Sequence, residues 1–209
     1  MTAIIDYGVG NLFSLKCSFL AIGEEVSVTS DADEIRNADR IVLPGVGAFE
    51  DAAKKLENSG LGGVIKEQVS LRKPLLGICL GMQLLFEKSY EYGEHDGLGL
   101  IPGVIRPLSD IVPQDLKIPH MGWNSLSFGE KKHPLFKYTN ENDFVYFVHS
   151  YYAAECENYV IASTDYGAPI TASAANGSAL GCQFHPEKSG DVGLNILRAF
   201  CEMKEGKIC

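Results

Sequence analysis

The chain has 209 residues, 45% of them hydrophobic, and its 18 basic against 27 acidic side chains give a net charge of −9. This length and composition predict one domain with a buried core, and the charged fraction of 22% argues against a disordered chain. The acidic balance argues against a nucleic-acid binder, because no basic stripe is present to replace phosphate counterions.

Thr2–Asp6 reads as a buried strand that runs into a glycine-rich loop, Gly8-Val9-Gly10-Asn11. Leu12, Leu15, Phe19 and Ile22 then recur at helical spacing, and Gly23 is placed to end that helix. Val26–Thr29 is a second strand. Arg40–Leu43 is a third, leading into Pro44-Gly45-Val46-Gly47-Ala48-Phe49. Further helix follows, broken near Asn58–Gly63. Pro74–Ile78 is a fourth strand, with a helix over Leu80–Lys88 directly after it. Strands alternating with helices through short turns predict a parallel sheet covered on both faces, with chemistry at the carboxyl ends of the strands. The loops at Gly8–Asn11, Gly45–Phe49 and Cys79 all lie at such ends.

From Leu98 to Phe184 the pattern becomes strand-like. Phe144–Val148, Tyr159–Ser163, Ile170–Ser173 and Ala179–Phe184 are its clearest strands. A last helix is predicted over Asp191–Lys204. The expected architecture is one mixed α/β domain over residues 1–209 with an added antiparallel portion.

Six cysteines, Cys17, Cys79, Cys156, Cys182, Cys201 and Cys209, are scattered without C-x-x-C spacing. That argues for reduced thiols rather than a disulfide framework or a zinc site. The start, Met1-Thr2-Ala3-Ile4-Ile5-Asp6, lacks a basic region, and the longest apolar tract, Pro74 to Phe86, is too short for a membrane span. A soluble cytoplasmic protein is expected.

One cysteine stands out. Gly77-Ile78-Cys79-Leu80-Gly81 sets a nucleophile between a strand and a helix, with glycines two positions away on each side. This is the nucleophile-elbow pattern with Cys in place of Ser. Unpaired N–H groups and the dipole at the helix start would lower the thiol pKa, and the Leu80 N–H is placed to donate to an oxyanion. The same five residues fit a buried structural cysteine equally well. In Gln183-Phe184-His185-Pro186-Glu187, an extended segment would turn His185 and Glu187 to the same side. A carboxylate could then fix the imidazole while the other ring nitrogen faces a thiol. Alone, this segment is an ordinary strand end. Together, Cys79, His185 and Glu187 would perform acyl transfer through a thioester.

The glycines beside Val46 let its peptide adopt unusual conformations, so its N–H is a candidate second oxyanion donor; a plain turn is the simpler reading. Neither glycine-rich loop has the third glycine of a dinucleotide site, and no Walker-type lysine is present, so no cofactor is expected. His95 and His133 sit in polar stretches and are expected to be solvated. His120 and His149 are expected to be structural, and Cys182, Cys201 and Cys209 inert.

With these residues in view, the chain resembles the class I, triad-type glutamine amidotransferases. Gly77-Ile78-Cys79-Leu80-Gly81-Met82-Gln83 and His185-Pro186-Glu187 carry the resemblance. Asp6–Asn11, Leu43–Phe49, Pro119–Asn124, the aromatic run ending His149-Ser150-Tyr151, and Gln183–Ser189 narrow it. They are similar to the glutaminase chains that serve a separate cyclase in histidine biosynthesis. The stretches Lys88–Asp96 and Pro113–Pro119 match no such string. The resemblance implies a flavodoxin-like three-layer sandwich with a central, mostly parallel sheet.

It also implies roles. Cys79 attacks the glutamine side-chain amide, and His185, oriented by Glu187, protonates the leaving ammonia and then activates water. Leu80 and Val46 supply oxyanion donors. Gly47, Gln83, His149, Ser150 and Tyr151 contact the substrate, and no metal is required. Asn11, Trp123, Tyr146 and Lys188 fall near a docking face for a (β/α)8-barrel cyclase that receives ammonia. Three other readings stay open at this stage. They are a paralogue serving another acceptor, a subunit that docks without catalysing, and a cysteine-elbow redox protein.

Overall fold

The computed structural model describes residues 1–204. The first half contains strands β1 (Thr2–Ile5), β2 (Val26–Thr29), β3 (Arg40–Leu43) and β4 (Leu75–Ile78). Its helices are α1 (Leu12–Ala21), α2 (Ala32–Asn37), α3 (Phe49–Asn58) and α4 (Leu61–Ser70). The second half opens with a single turn, α5 (Leu80–Gln83). Strands β5 (Phe86–Ser89), β6 (His95–Asp96), β7 (Ile101–Pro107), β8 (His120–Ser125), β9 (Phe144–His149) and β10 (Tyr151–Ala154) follow. Strands β11 (Val160–Asp165), β12 (Pro169–Asn176) and β13 (Ala179–Cys182) precede α6 (Gly190–Cys201).

A seven-stranded sheet runs β11-β12-β13-β4-β3-β1-β2. Its centre is parallel from β13 to β2, and β11 and β12 add antiparallel to β13. The central strands are apolar on both faces because both faces are covered. Neighbours along one strand therefore enter different cores. Ile5, Ile41, Leu43 and Leu75 pack with α3, α4 and the smaller sheet β10-β7-β5-β6. Ile4, Val42, Leu76 and Ile78 pack with Leu15 and Phe19 of α1 and Ile196 and Phe200 of α6. Each such fully buried side chain contributes roughly 1.5–3 kcal/mol through removal from water. This is the expected three-layer arrangement, and β8 and β9 form a separate ribbon beside it. No helix among the described residues is long and apolar enough to cross a membrane.

Two expectations need correction. The helix predicted over Leu80–Lys88 stops at Gln83, and Phe86–Ser89 is a strand paired with β7 and β6. Leu84, Leu85 and Phe86 are all buried, and so short an apolar run carries no periodicity that separates helix from strand. The six-residue α2 has no counterpart in the prediction; Asp31 caps it through bonds from the Asp33 and Glu34 N–H groups. Its length is too short for a helical stripe to register.

Candidate active site

The site begins where β3 and β4 end side by side. Cys79 has φ 54° and ψ −112°, a region that residues other than glycine seldom occupy. Its N–H donates to the Cys182 carbonyl at 2.7 Å, which ties the elbow to the neighbouring parallel strand β13. The flanking glycine is there for close approach. A Cβ on Gly81 would lie 1.9 Å from the Leu43 carbonyl oxygen. The two turns thus touch backbone to backbone, and Gly81→Ala is expected to destabilise the fold by about 3 kcal/mol or more. Urea denaturation of the variant checks this; a loss below about 1 kcal/mol would contradict the contact.

His185 leaves β13 on the same edge. Its N–H donates to the Tyr146 carbonyl at 2.9 Å, and its own carbonyl accepts from Ser189 Oγ at 2.6 Å. The extended segment expected through Glu187 ends at His185. Residues Pro186–Lys188 form one tight helical turn instead, and it is this turn that brings the carboxylate back to the ring. Nδ1 of His185 lies 2.8 Å from Glu187 Oε1, and both side chains are 3% exposed. Nε2 is left for the cavity that His185 and Cys79 both line. Burial, the largest single influence, disfavours the imidazolium. Bonds and charge from Cys79 and then Glu187 outweigh it, and the pKa is pushed up to about 9.

These groups open onto a cavity of about 620 Å³. Cys79, His185, Val46, Leu80, Gly47, Gln83, His149, Ser150 and Tyr151 all line it. Glu187 stands behind His185. Leu80 begins α5, so its N–H has no acceptor within the helix. Val46 is 44% exposed, and Gly47 has φ 95° with open space where a Cβ would be. That backbone requires glycine, so the turn beside the sulfur is free of side-chain bulk. The Gly8–Asn11 loop does not reach the cavity lining; Gly10 backs onto Pro44, where a Cβ would meet the ring at 3.0 Å. Since α5 is one turn long, its dipole is small. The sulfur has hydrogen-bond partners in the Val148 carbonyl, to which its S–H donates at 3.9 Å, and in Gln183, whose Nε2 lies 3.8 Å from Sγ.

Gln183, Glu91 and Tyr92 are the residues that sequence reasoning missed. Gln183 is fully buried beside the sulfur. Glu91 lines the cavity as a buried carboxylate whose Oε2 accepts from the Phe49 N–H at 2.7 Å. Burial holds its pKa above the ordinary carboxylate value. The segment containing Glu91 and Tyr92 has no periodicity or motif, so nothing in the sequence pointed to it. Gln183 was visible only as a residue two positions before His185.

The remaining histidines divide. His120 and His149 are buried, with His120 Nδ1 3.0 Å from His149 Nε2. The other nitrogen of His120 lies 3.0 Å from the Asn124 side chain. Burial pushes His149 down to about 3. His95 and His133 are not solvated as expected. His95 Nε2 is buried with no hydrogen-bond partner among the described residues, and His133 Nδ1 accepts from the Leu135 N–H at 3.2 Å. Both lie in folded segments whose polar neighbours turn outward. Burial raises Cys182 and Cys201 to about 12, consistent with unreactive thiols. Cys209 lies outside the described residues.

Three of the four expected docking residues cluster. Trp123 and Tyr146 oppose each other on β8 and β9, with ring centroids 6.0 Å apart, and Lys188 Nζ sits 5.8 Å over the Tyr146 ring. Trp123 is 52% exposed and nearby Met121 61%. The Asn11 side chain caps α1, accepting from the Ser14 N–H at 3.4 Å.

A cysteine, an imidazole and a carboxylate so arranged can form and hydrolyse an acyl thioester. Residues 3–203 match the family model described as glutamine amidotransferase class-I. Over 205 residues the chain is 52% identical to the imidazole glycerol phosphate synthase subunit HisH of Carboxydothermus hydrogenoformans, covering 97% of this chain and 100% of the relative. It is 48% identical over 200 residues to the subunit of the same name from Lactococcus lactis, covering 95% and 96%. The solved structure of PurLQS from Thermotoga maritima is similar with a TM-score of 0.74 at 17% identity, over 96% of each chain, a likeness of fold alone. With relatives about half identical along nearly their whole length and a family model spanning almost every described residue, this chain belongs to the class-I glutamine amidotransferases.

Proposed function

We propose that the chain, as a single amidotransferase domain over residues 1–209, is the glutaminase subunit of imidazole glycerol phosphate synthase. One observation carries the reading: Cys79 and His185 line one open cavity, and Glu187 lies behind the ring, 2.8 Å from its Nδ1. The near-full-length similarity to the HisH subunits supports the pathway.

In this reading the Cys79 thiolate attacks the side-chain carbonyl carbon of glutamine. The tetrahedral oxyanion is held by the Leu80 N–H and by an N–H of the Val46 loop. The His185 imidazolium gives its proton to the departing nitrogen, and ammonia leaves behind a glutamyl thioester. The neutral ring then takes a proton from water as the water attacks, and glutamate is released with the thiolate restored. Glu187 keeps the ring oriented and balances its charge. Gly47, Gln83, His149, Ser150 and Tyr151 border the substrate. Glu91 supplies the negative charge suited to the substrate's ammonium group.

Free ammonia would be protonated in water, so its acceptor must be close. The partner is a (β/α)8-barrel cyclase that takes ammonia through a protected channel. It forms imidazole glycerol phosphate and aminoimidazole carboxamide ribotide. Trp123, Tyr146 and Lys188 form the centre of the docking face with Asn11 at its side, since exposed aromatics are frequent interface anchors. The complex is a cytoplasmic heterodimer without a cofactor.

The test is glutamate release measured with the chain alone, with a barrel cyclase, and with cyclase plus its ribonucleotide. Strong activation in the last case supports both the glutaminase and its pathway. Equal activity in all three removes the partner-gated reading. Silence throughout, with the complex shown to assemble, overturns the assignment.

A further inference from the structure

Gln183 has no part in the reaction as derived above, yet it is fully buried and its amide adjoins the reacting sulfur. Resting on the reading that Cys79 is the nucleophile, we propose that Gln183 serves as hydrogen-bond donor to the Cys79 sulfur, its amide turned that way by Gln83 and the Tyr151 carbonyl.

The polarity follows from a backbone carbonyl. The Tyr151 oxygen can only accept, so the Gln83 group 3.2 Å away is its NH₂. The second hydrogen of that NH₂ goes to Gln183 Oε1 at 3.0 Å. Gln183 therefore turns its own NH₂ to Cys79 Sγ, at 3.8 Å. The Tyr151 carbonyl is held from the other side by His149 Nδ1 at 2.8 Å, which must carry the proton. The two amides thus form one ordered set, fixed at the Tyr151 carbonyl, that ends on the nucleophile. A donor at the sulfur favours the thiolate over the thiol, and an amide cannot compete with His185 for the proton.

The test uses the full chain. Alkylation of Cys79 by iodoacetamide is timed at one pH, with the modified peptide identified by mass spectrometry because exposed Cys17 also reacts. Glutaminase kcat and KM are measured on the complex with the cyclase, and thermal melts confirm folding. Gln183→Met keeps the volume and removes the donor; alkylation and kcat are expected to fall about tenfold with KM within about twofold. Gln183→Glu keeps the shape and sets a carboxylate beside the sulfur, and is expected to react more slowly still. A folded Gln183→Met variant alkylated at the wild-type rate overturns the donor role. Losses that appear only in KM or track melting temperature overturn it as well. If the Cys79→Ala complex still turns over glutamine, the functional reading falls, whereas the alkylation rates decide the donor role separately.

Discussion

Replacing Cys79 with alanine is expected to lower glutamine hydrolysis by about five orders of magnitude while leaving the fold and the complex intact. The size of the effect follows from the chemistry. Among the described residues no other cysteine lines the cavity, and an alanine leaves His185 with nothing to activate but water. The fold should tolerate the change. Cys79 already holds φ 54° in the native chain, and alanine meets the same strain with a smaller side chain, so stability should shift by no more than about 1 kcal/mol. Ammonia supplied at raised pH is expected to restore cyclisation by the variant complex, because the acceptor side is untouched. Full turnover of the variant with glutamine as the nitrogen source would remove Cys79 from the mechanism. Absence of ammonia rescue in an assembled complex would argue against simple nitrogen delivery.

Glu187→Gln is expected to lower kcat by about 10³–10⁴-fold with a smaller effect on KM. The glutamine is nearly the same size, and the Glu187 side chain is only 3% exposed, so the loss isolates the charge and the tautomer control. The pH dependence has a definite sign. Cys79 and Glu187 together hold His185 above its ordinary value of 6.5, at about 9, against burial. Removing Glu187 takes away one of the two supports, so the His185 pKa falls. The imidazolium needed to protonate ammonia is then lost at lower pH, and the alkaline limb of the rate profile moves toward acid. The same shift has a stability consequence. A raised folded-state pKa contributes stability that is complete below pH 6.5 and is lost as pH rises through about 9. Melting temperatures across that interval should fall less in Glu187→Gln than in the wild type. An unchanged alkaline limb would show that Glu187 does not act on the imidazole.

Both variants probe a site assembled from distant parts of the chain. Cys79 meets Gln183 across 104 positions, and Gln83 meets the same residue across 100. The parallel pairing of β4 with β13 makes those meetings possible. It also explains why the oxyanion loop, the elbow and the histidine turn share one edge: β3, β4 and β13 are consecutive in the sheet, so their carboxyl ends are neighbours whatever their order in sequence.

Local features are legible in the residues alone. Buried strands such as Arg40–Leu43 are apolar runs between turn residues, and α1 shows its stripe in Leu15 and Phe19. The spacing of glycines around Cys79 and the nearness of His185 to Glu187 are likewise visible without coordinates, because strained turns and i to i+2 neighbours are written in adjacent residues. The tertiary structure decided what is long-range. Strand β7 alternates buried and half-buried residues but includes Pro102, Gly103 and Pro107, which read as turn signals. The tight turn at Pro186–Lys188, rather than an extended strand, delivers Glu187 to the ring. Glu91 becomes part of the cavity because the Phe49 N–H, 42 residues away, draws its carboxylate inward. Gln183 gains a function because two other segments dictate which end of its amide meets the sulfur. Such contacts depend on which strands pair and which faces are buried, and pairing is a property of the whole chain that no window of sequence contains.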